Sequence, residues 1–331
     1  MNTRRVRVGL AAISAALVAA APVRAQPGRT VNGATQVERD VYLISRPAGN
    51  LLVLTGKDGA VILGAQTPEL VAGARSLLAS LGARPRYVLI ASGDSAVRNR
   101  DGGWAREGAI TVAHEGIRNK IRRLARADST ILPQMPSLGY SEVFQIAADG
   151  DEIHLIHHPA GYSDADAVAH FEVRQFLYMG SLFTSDGYPT IQVAGGGSIA
   201  GLIRSATEFV DEYVRFKGLI EPIIPGRGPV STWADLRDYR DMLVAVRDRV
   251  APMVREGKSA ADVVAARPTA AFDERWGRGP VTPAAFTAMV YESLKKEAAT
   301  PPAPTAAAPA AQYPAQGQQH QHGPPTTPQR P

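Results

Sequence analysis

Hydrophobic residues in the first third of the chain form short runs separated by polar turns. The runs VYLIS from Val41, NLLVLT from Asn50 and AVILGA from Ala60 predict strands, and the turn GKDG between the last two predicts a hairpin. The segment from Pro68 to Gly82 instead carries apolar residues at helical spacing and ends on a glycine, a common helix terminator. The pattern therefore predicts strands followed by a helix.

The same alternation continues to about residue 230. Strands are predicted at RYVLI, AITVAH, on both sides of the turn AADGDE, and at AVAHFEV, QFLYMG and EPIIPGRGP, and helices at EGIRNKIRRLAR and IAGLIRSATEFVDEYVRF. From about residue 231 the pattern is helical, and Thr232 and Asp235 have the spacing of a capping box. Strands in two batches, each followed by helices, favour an α/β (α+β) fold: a four-layer αββα sandwich of two mixed sheets with a C-terminal helical extension.

The two ends of the chain differ in composition from this folded part, which spans residues 26–297. Residues 1–25 combine a basic start, an apolar run from Val8 to Ala21 and small residues at Val23 and Ala25, which predicts a signal peptide cleaved after Ala25. Residues 298–331 are rich in Pro, Ala and Gln, and predict a disordered tail in which His320 and His322 are solvated.

Charge and cysteine content narrow the function classes. The net charge is +5, but residues 1–25 hold four arginines and no acid, so the mature chain carries about 5 − 4 = +1. Nucleic acid is therefore not an expected partner. The chain has no cysteine, which excludes a thiolate nucleophile, thiolate metal ligands and disulfides. We expect a periplasmic or secreted protein with no stable membrane span after signal cleavage, exported by general secretion or the twin-arginine route.

The loop ASGDSAVRN follows the strand RYVLI, and it offers Ser92, Asp94 and Ser95 but no histidine. A loop at the end of a buried strand is where α/β proteins commonly place their chemistry. Further distinctive segments are ITVAHEGIR, HHPAGYSDAD, FLYMGSLF, GGGSIAGLIRS, IIPGRGPV, YRDMLVAVRDRV and FDERWG. In this order and spacing, over roughly residues 38–296, the set resembles the metallo-β-lactamase-fold superfamily of zinc hydrolases.

The resemblance implies a zinc site whose ligands this chain lacks. In the family, H-x-H-x-D-H follows a strand, and later loops supply a histidine, a bridging aspartate and a final histidine. The aspartate of V-D-T-G, which supports the ligands, falls on Gly64 here. The ligand positions themselves fall on Ser92, Asp94, Ala96, Val97, Tyr162, Ser181 and Arg227.

Of these seven residues only Asp94 is a good ligand for a divalent metal ion, whereas zinc needs at least three protein donors. Misalignment does not restore the site, because no histidine precedes His114 and none lies between Phe171 and Gln319. We therefore expect that the zinc centre is lost, that no cofactor is bound and that the catalytic residues of a metallo-hydrolase are absent.

The remaining histidines have simpler interpretations. His114 is expected to pack or cap at a strand end. His154 and His158 lie on one face of a predicted strand and His157 on the other, where a new metal pair is the less favoured alternative. His170 is expected to be an ordinary strand residue.

Arg227 introduces a permanent positive charge where the family has its final histidine. One hypothesis is an ion pair between Arg227 and Asp94 across the former metal site, with Ser92, Tyr162 and Ser181 around it. The alternative is that Arg227 points into solvent. An accessible guanidinium would instead bind an anionic ligand such as a carboxylate or phosphate, although Asp94 nearby would weaken that binding.

These observations favour an exported pseudoenzyme that binds a small anionic ligand or an envelope protein. The alternative is a hydrolase of the superfamily that acts without metal or through an unrecognised site. A scaffold that uses the tail as a tether is a third class. Ser92, Ser95 and Ser181 have no histidine base close in sequence, although His114 or His158 could approach them in space.

Overall fold

The computed structural model describes residues 29–64, 66–92, 103–158, 160–215 and 222–299. The predicted signal peptide, and the predicted tail from residue 300 onward, lie outside these ranges. None of the helices within the described ranges is both long enough and apolar enough to cross a membrane.

The first sheet contains eight strands that follow one another in chain order. Its first five strands are antiparallel neighbours, because tight turns join them. The fifth strand and the three that follow it are parallel neighbours, since helices or longer connections return the chain to the same edge. The strands are β1 Thr30–Val31, β2 Ala34–Glu38, β3 Val41–Arg46, β4 Gly49–Leu54, β5 Ala60–Gly64, β6 Pro85–Ile90, β7 Ile110–His114 and β8 Leu138–Tyr140.

The second sheet contains five strands in the order β13-β12-β11-β10-β9. Three of its pairings are antiparallel, whereas β12 and β13 are parallel and place Thr184 opposite Arg227. Both sheets are thus mixed. The strands are β9 Val143–Ala148, β10 Asp151–His158, β11 Asp166–Phe171, β12 Phe176–Thr184 and β13 Ile223–Arg227.

Helices cover the outer faces of the two sheets. The helices are α1 Pro68–Leu81, α2 Gly103–Arg106, α3 Glu115–Ala125, α4 Ile199–Arg215, α5 Trp233–Arg255, α6 Ala260–Ala265, α7 Asp273–Trp276 and α8 Pro283–Ala299, with 3-10 turns at Ser129–Gln134 and Val193–Gly195. The predicted capping box forms at α5, where Thr232 and Asp235 bond each other's backbone N–H, and Ser259 and Asp262 form a second one at α6.

Three apolar cores separate four layers. The first sheet packs α1 and α3 on its outer face through residues such as Ile62 and Leu77. The two sheets pack face to face through residues such as Leu89 and Phe171. The second sheet packs α4, α5 and α8 on its outer face. The predicted four-layer αββα sandwich with a helical extension is confirmed, whereas the short strands β1, β2 and β8 are elements that the hydrophobic pattern did not reveal.

Candidate functional site

A pocket of about 300 Å³ lies where the ends of β5, β6, β12 and β13 meet. Its size is at the lower end of the range for small-molecule sites. Four of the seven predicted ligand positions line it together, namely Ser92, Tyr162, Ser181 and Arg227, and Gly64 lines it as well. The fold thus brings these residues together from five separate segments of the chain.

The other three predicted positions, Asp94, Ala96 and Val97, lie in residues 93–102, outside the described ranges. The proposed ion pair between Asp94 and Arg227 is therefore untested. Ser95 likewise lies outside the described ranges.

Arg227 lies at the end of β13 and meets a carboxylate that the sequence did not single out. Its Nε donates to Asp186 Oδ1 over 2.7 Å, and its Nη2 donates to Thr184 Oγ1 and to the carbonyl oxygen of Tyr188 over 3.1 and 3.2 Å. Its side chain is only 17% exposed. The alternative in which Arg227 points into solvent is wrong, because parallel pairing of β12 and β13 holds the Thr184–Tyr188 segment beside it.

The guanidinium retains donor capacity toward the pocket. Arginine has five N–H groups, and the contacts of Arg227 with described residues use Nε and Nη2. No described residue accepts a hydrogen bond from its Nη1. Arg227 lines the pocket, so its guanidinium is within reach of a bound group there.

Tyr162 is held by the loop that precedes β11. Its hydroxyl accepts a hydrogen bond from Gln192 Nε2 over 2.8 Å. The loop itself is fixed by Asp166, whose carboxylate accepts from Ser163 N over 2.7 Å and from Ser163 Oγ over 2.8 Å. Asp166 is fully buried. Burial raises the pKa of Asp166 to about 7, although the hydrogen bonds from Ser163 act in the opposite direction.

Gly64 occupies a position that no side chain fits. Its φ is +118°, and a Cβ there would lie 2.5 Å from the Tyr178 hydroxyl oxygen and 2.6 Å from the Asn50 carbonyl oxygen. Tyr178 Oη donates to that same carbonyl oxygen over 3.3 Å. Burial raises the pKa of Tyr178, so this hydroxyl stays neutral. Tyr178 therefore fills the space that a side chain at position 64 would need.

The helical extension reaches the pocket through two segments. Pro280 lines the pocket, and a Cβ at Gly187 would lie 2.8 Å from Gly279 Cα, so the two glycines permit close packing. Tyr188 N donates to the carbonyl oxygen of Trp276 over 3.0 Å, and Tyr188 Oη donates to Asp273 Oδ1 over 2.9 Å. The segment that holds Arg227 is thus anchored to the extension.

The donors at the described positions do not fit zinc. Three of them are neutral hydroxyls, on Ser92, Tyr162 and Ser181, and the fourth position carries a guanidinium that has no acceptor and repels a dication. Within the described ranges, no group of three or more His, Asp and Glu residues is arranged to hold a metal ion.

The described histidines occupy structural positions. His114 caps α3 by accepting from Gly116 N over 3.1 Å, as expected, and its ring stacks on His157 at 3.7 Å between centroids. His158 lies on the opposite face of β10, beside Phe209, which confirms the predicted alternation. His154 and His170 are buried on neighbouring strands, with their ring centroids 6.4 Å apart.

The layers, the strand order and the pocket at the strand ends define the metallo-β-lactamase fold. A sec-alkylsulfatase from Pseudomonas sp., described as stereoselective and inverting, superposes with a TM-score of 0.56 at 14% identity over 83% of this chain and 52% of its own. A metallo-beta-lactamase family protein from Thermus thermophilus gives 0.57 at 16% identity over 80% and 96%. A metallo-beta-lactamase from Pontibacter korlensis gives 0.51 at 14% over 63% and 97%.

The chain therefore spans about half the length of the alkylsulfatase and nearly all of the other two. No protein-family model matches the sequence, and no curated protein matches it. At these identities the similarity shows the fold alone.

Proposed function

We propose that this chain is an exported pseudoenzyme of the metallo-β-lactamase fold, which binds a small anionic ligand in the pocket where zinc hydrolases hold their metal. The observation that carries the proposal is Arg227. A side chain that is always protonated lies at the pocket wall, at the position of a metal-ligating histidine, with Nη1 donors directed to no described residue.

A small ligand is favoured over an envelope protein as the occupant. The pocket is concave and combines polar donors with apolar walls, as ligand sites do. The alternative, a metal-free hydrolase, finds less support: His114 is committed to capping α3 and His158 lies on the face of β10 that packs against Phe209.

The first test is metal content measured together with activity. We expect less than one zinc, iron or manganese per chain in protein purified from the envelope fraction, and no hydrolysis of a generic ester or β-lactam. Stoichiometric metal that a chelator removes together with activity would overturn the proposal. Hydrolysis without metal would favour the alternative.

The second test is a thermal-shift screen against anionic metabolites. We expect stabilisation by at least one of them, and loss of that stabilisation in Arg227→Gln, which removes the charge but keeps a polar side chain. Arg247→Gln is the matched control, because Arg247 forms an exposed ion pair with Asp248 on α5. Equal shifts in both variants would place the ligand elsewhere.

Export has its own test. Mass spectrometry of the chain recovered from the periplasm or medium should find a mature N-terminus at Gln26. An intact N-terminus in the cytoplasm would contradict export without affecting the pocket.

A further inference from the structure

We infer that the ligand of this pocket is a small monocarboxylate with an apolar body, rather than a phosphate or another dianion. This inference rests on the proposed function, because it names the ligand class of the same pocket. It follows from the charge balance at Arg227, the composition of the pocket walls and the pocket volume.

The charge balance favours a single negative charge. Arg227 is the one charged residue among the described residues that line the pocket. Its charge is already compensated by Asp186 at 2.7 Å, in a pair whose side chains are only 17% and 33% exposed. Counted over the described residues, a monoanion on Nη1 leaves one net negative charge, whereas a dianion leaves two. Partly buried charge without compensation is costly, so the dianion is disfavoured.

The donor geometry agrees with a carboxylate. With Nε bound to Asp186, and Nη2 to Thr184 and Tyr188, the guanidinium offers the edge that carries Nη1. Ser181 also lines the pocket and carries a hydroxyl that can donate. A carboxylate has two acceptor oxygens, so few hydrogen-bond donors satisfy it. A phosphate has three strong acceptor oxygens and needs donors around all of them.

Part of the pocket lining is apolar, although Gln66, Thr67 and Thr190 also line it. Three prolines come from separate parts of the chain, with Ala48 and Phe183 beside them; the prolines are Pro47, Pro189 and Pro280. These side chains offer no donor to a second polar group. A volume of about 300 Å³ corresponds to about ten water molecules, so it holds a compact acid rather than a long chain.

The test is isothermal titration of the full mature chain at pH 7.5 with acetate, butyrate, hexanoate, hexanamide and inorganic phosphate. Affinity should rise about fourfold per methylene group until the pocket is filled. Hexanoate should bind at least tenfold more tightly than hexanamide or phosphate. Circular dichroism checks that each variant is folded.

Asp186→Asn gives the decisive comparison. The amide oxygen can still accept from Arg227 Nε, while the compensating charge is removed. Both anions should bind more tightly to this variant, and phosphate should gain about tenfold more than hexanoate, because it carries the larger charge.

The outcomes separate the inference from the function. If phosphate binds the unmodified chain as tightly as hexanoate, or if affinity does not depend on chain length, the inference is wrong while an anion pocket remains. If neither anion binds the unmodified chain, and Arg227→Gln leaves the thermal shifts with anionic metabolites unchanged, the proposed function itself is wrong.

Discussion

Two corners of the pocket, one at Gly64 and one at Arg227, differ in charge and in what their residues contact. At Gly64 the space that a side chain would need is taken by the neutral hydroxyl of Tyr178. At Arg227 a permanent cation lies in the pocket wall and is compensated by Asp186. The first corner is filled and uncharged, and the second keeps a polar group that can reach the pocket. One part of the pocket wall is therefore closed by packing, whereas another part presents a charged side chain.

The largest effect is expected from placing an acid at the filled corner. Gly64→Asp should destabilise the protein by roughly 4–5 kcal/mol, since the new Cβ meets Tyr178 and Asn50 and the backbone is at a φ that side chains rarely adopt. Urea unfolding measures the loss. Gly82→Asp is the control, because Gly82 also has positive φ but nothing lies within 4 Å of its Cβ position.

The same variant in a Tyr178→Phe background measures how much of the destabilisation comes from the Tyr178 hydroxyl. Removal of the hydroxyl should recover part of the lost unfolding free energy. The recovery should be incomplete, because the Asn50 carbonyl oxygen still lies in the way of the new Cβ. If Gly64→Asp lowers the unfolding free energy no more than Gly82→Asp does, the Gly64 corner has room for a side chain and does not differ from the Arg227 corner in the way described.

The sequence predicted the layers of the fold, and which residues share one pocket, better than it predicted the contacts that those residues make. Apolar runs and helical spacing identify β3 to β7, α1 and α5, because burial imposes those periods. Short edge elements such as β1 and β8 carry too few apolar positions to show a period. The resemblance located Ser92, Tyr162, Ser181 and Arg227, which do share one pocket.

The partner of Arg227 was missed for a physical reason. Asp186 becomes its neighbour only through the parallel pairing of β12 with β13, a contact between positions far apart in sequence. The turn TSDGYP directly after β12 is a signal that would have pointed to it, since a strand end places polar side chains at the same edge as the end of β13. Asp166 was likewise missed, because no spacing rule distinguishes a buried carboxylate from a turn residue.

A pH change should add a negative charge at Asp166, in the loop that precedes β11. The pKa of Asp166 is raised to about 7 from its usual 3.8, so the folded state holds a proton that the unfolded chain releases. This contribution to stability is full below pH 4 and is lost as the pH rises toward 7, a change of about 4 kcal/mol.

The check is the unfolding free energy of the unmodified chain and of Asp166→Asn at pH 5 and pH 8. The amide stays neutral and can bond both groups of Ser163 if the hydroxyl reverses its role, so its pH dependence should be flatter than that of the unmodified chain. If the unfolding free energies of the two proteins change equally between pH 5 and pH 8, Asp166 is not the group responsible for the pH dependence.

At the charged corner, Arg227→Ala should destabilise by about 2 kcal/mol, because it leaves Asp186 without its cation in a partly exposed site. Asp186→Ala should cost a similar amount. The double variant should cost less than the sum of the two, by about 1 kcal/mol or more, in a double-mutant cycle. Strict additivity would mean that the ion pair does not contribute to stability.

The smallest effect concerns the anchor between the charged corner and the helical extension. Tyr188→Phe keeps the ring stacked on Phe286 but removes the hydrogen bond to Asp273, so it should cost about 1 kcal/mol. The carbonyl oxygen of Tyr188 still accepts from Arg227 in this variant. If the extension positions the guanidinium, binding of hexanoate should weaken severalfold in Tyr188→Phe while Tyr291→Phe, which removes a hydrogen bond to Lys258 within the extension, leaves it unchanged. Equal binding in both variants would mean that the strands alone position Arg227, because the extension would then add stability without shaping the pocket.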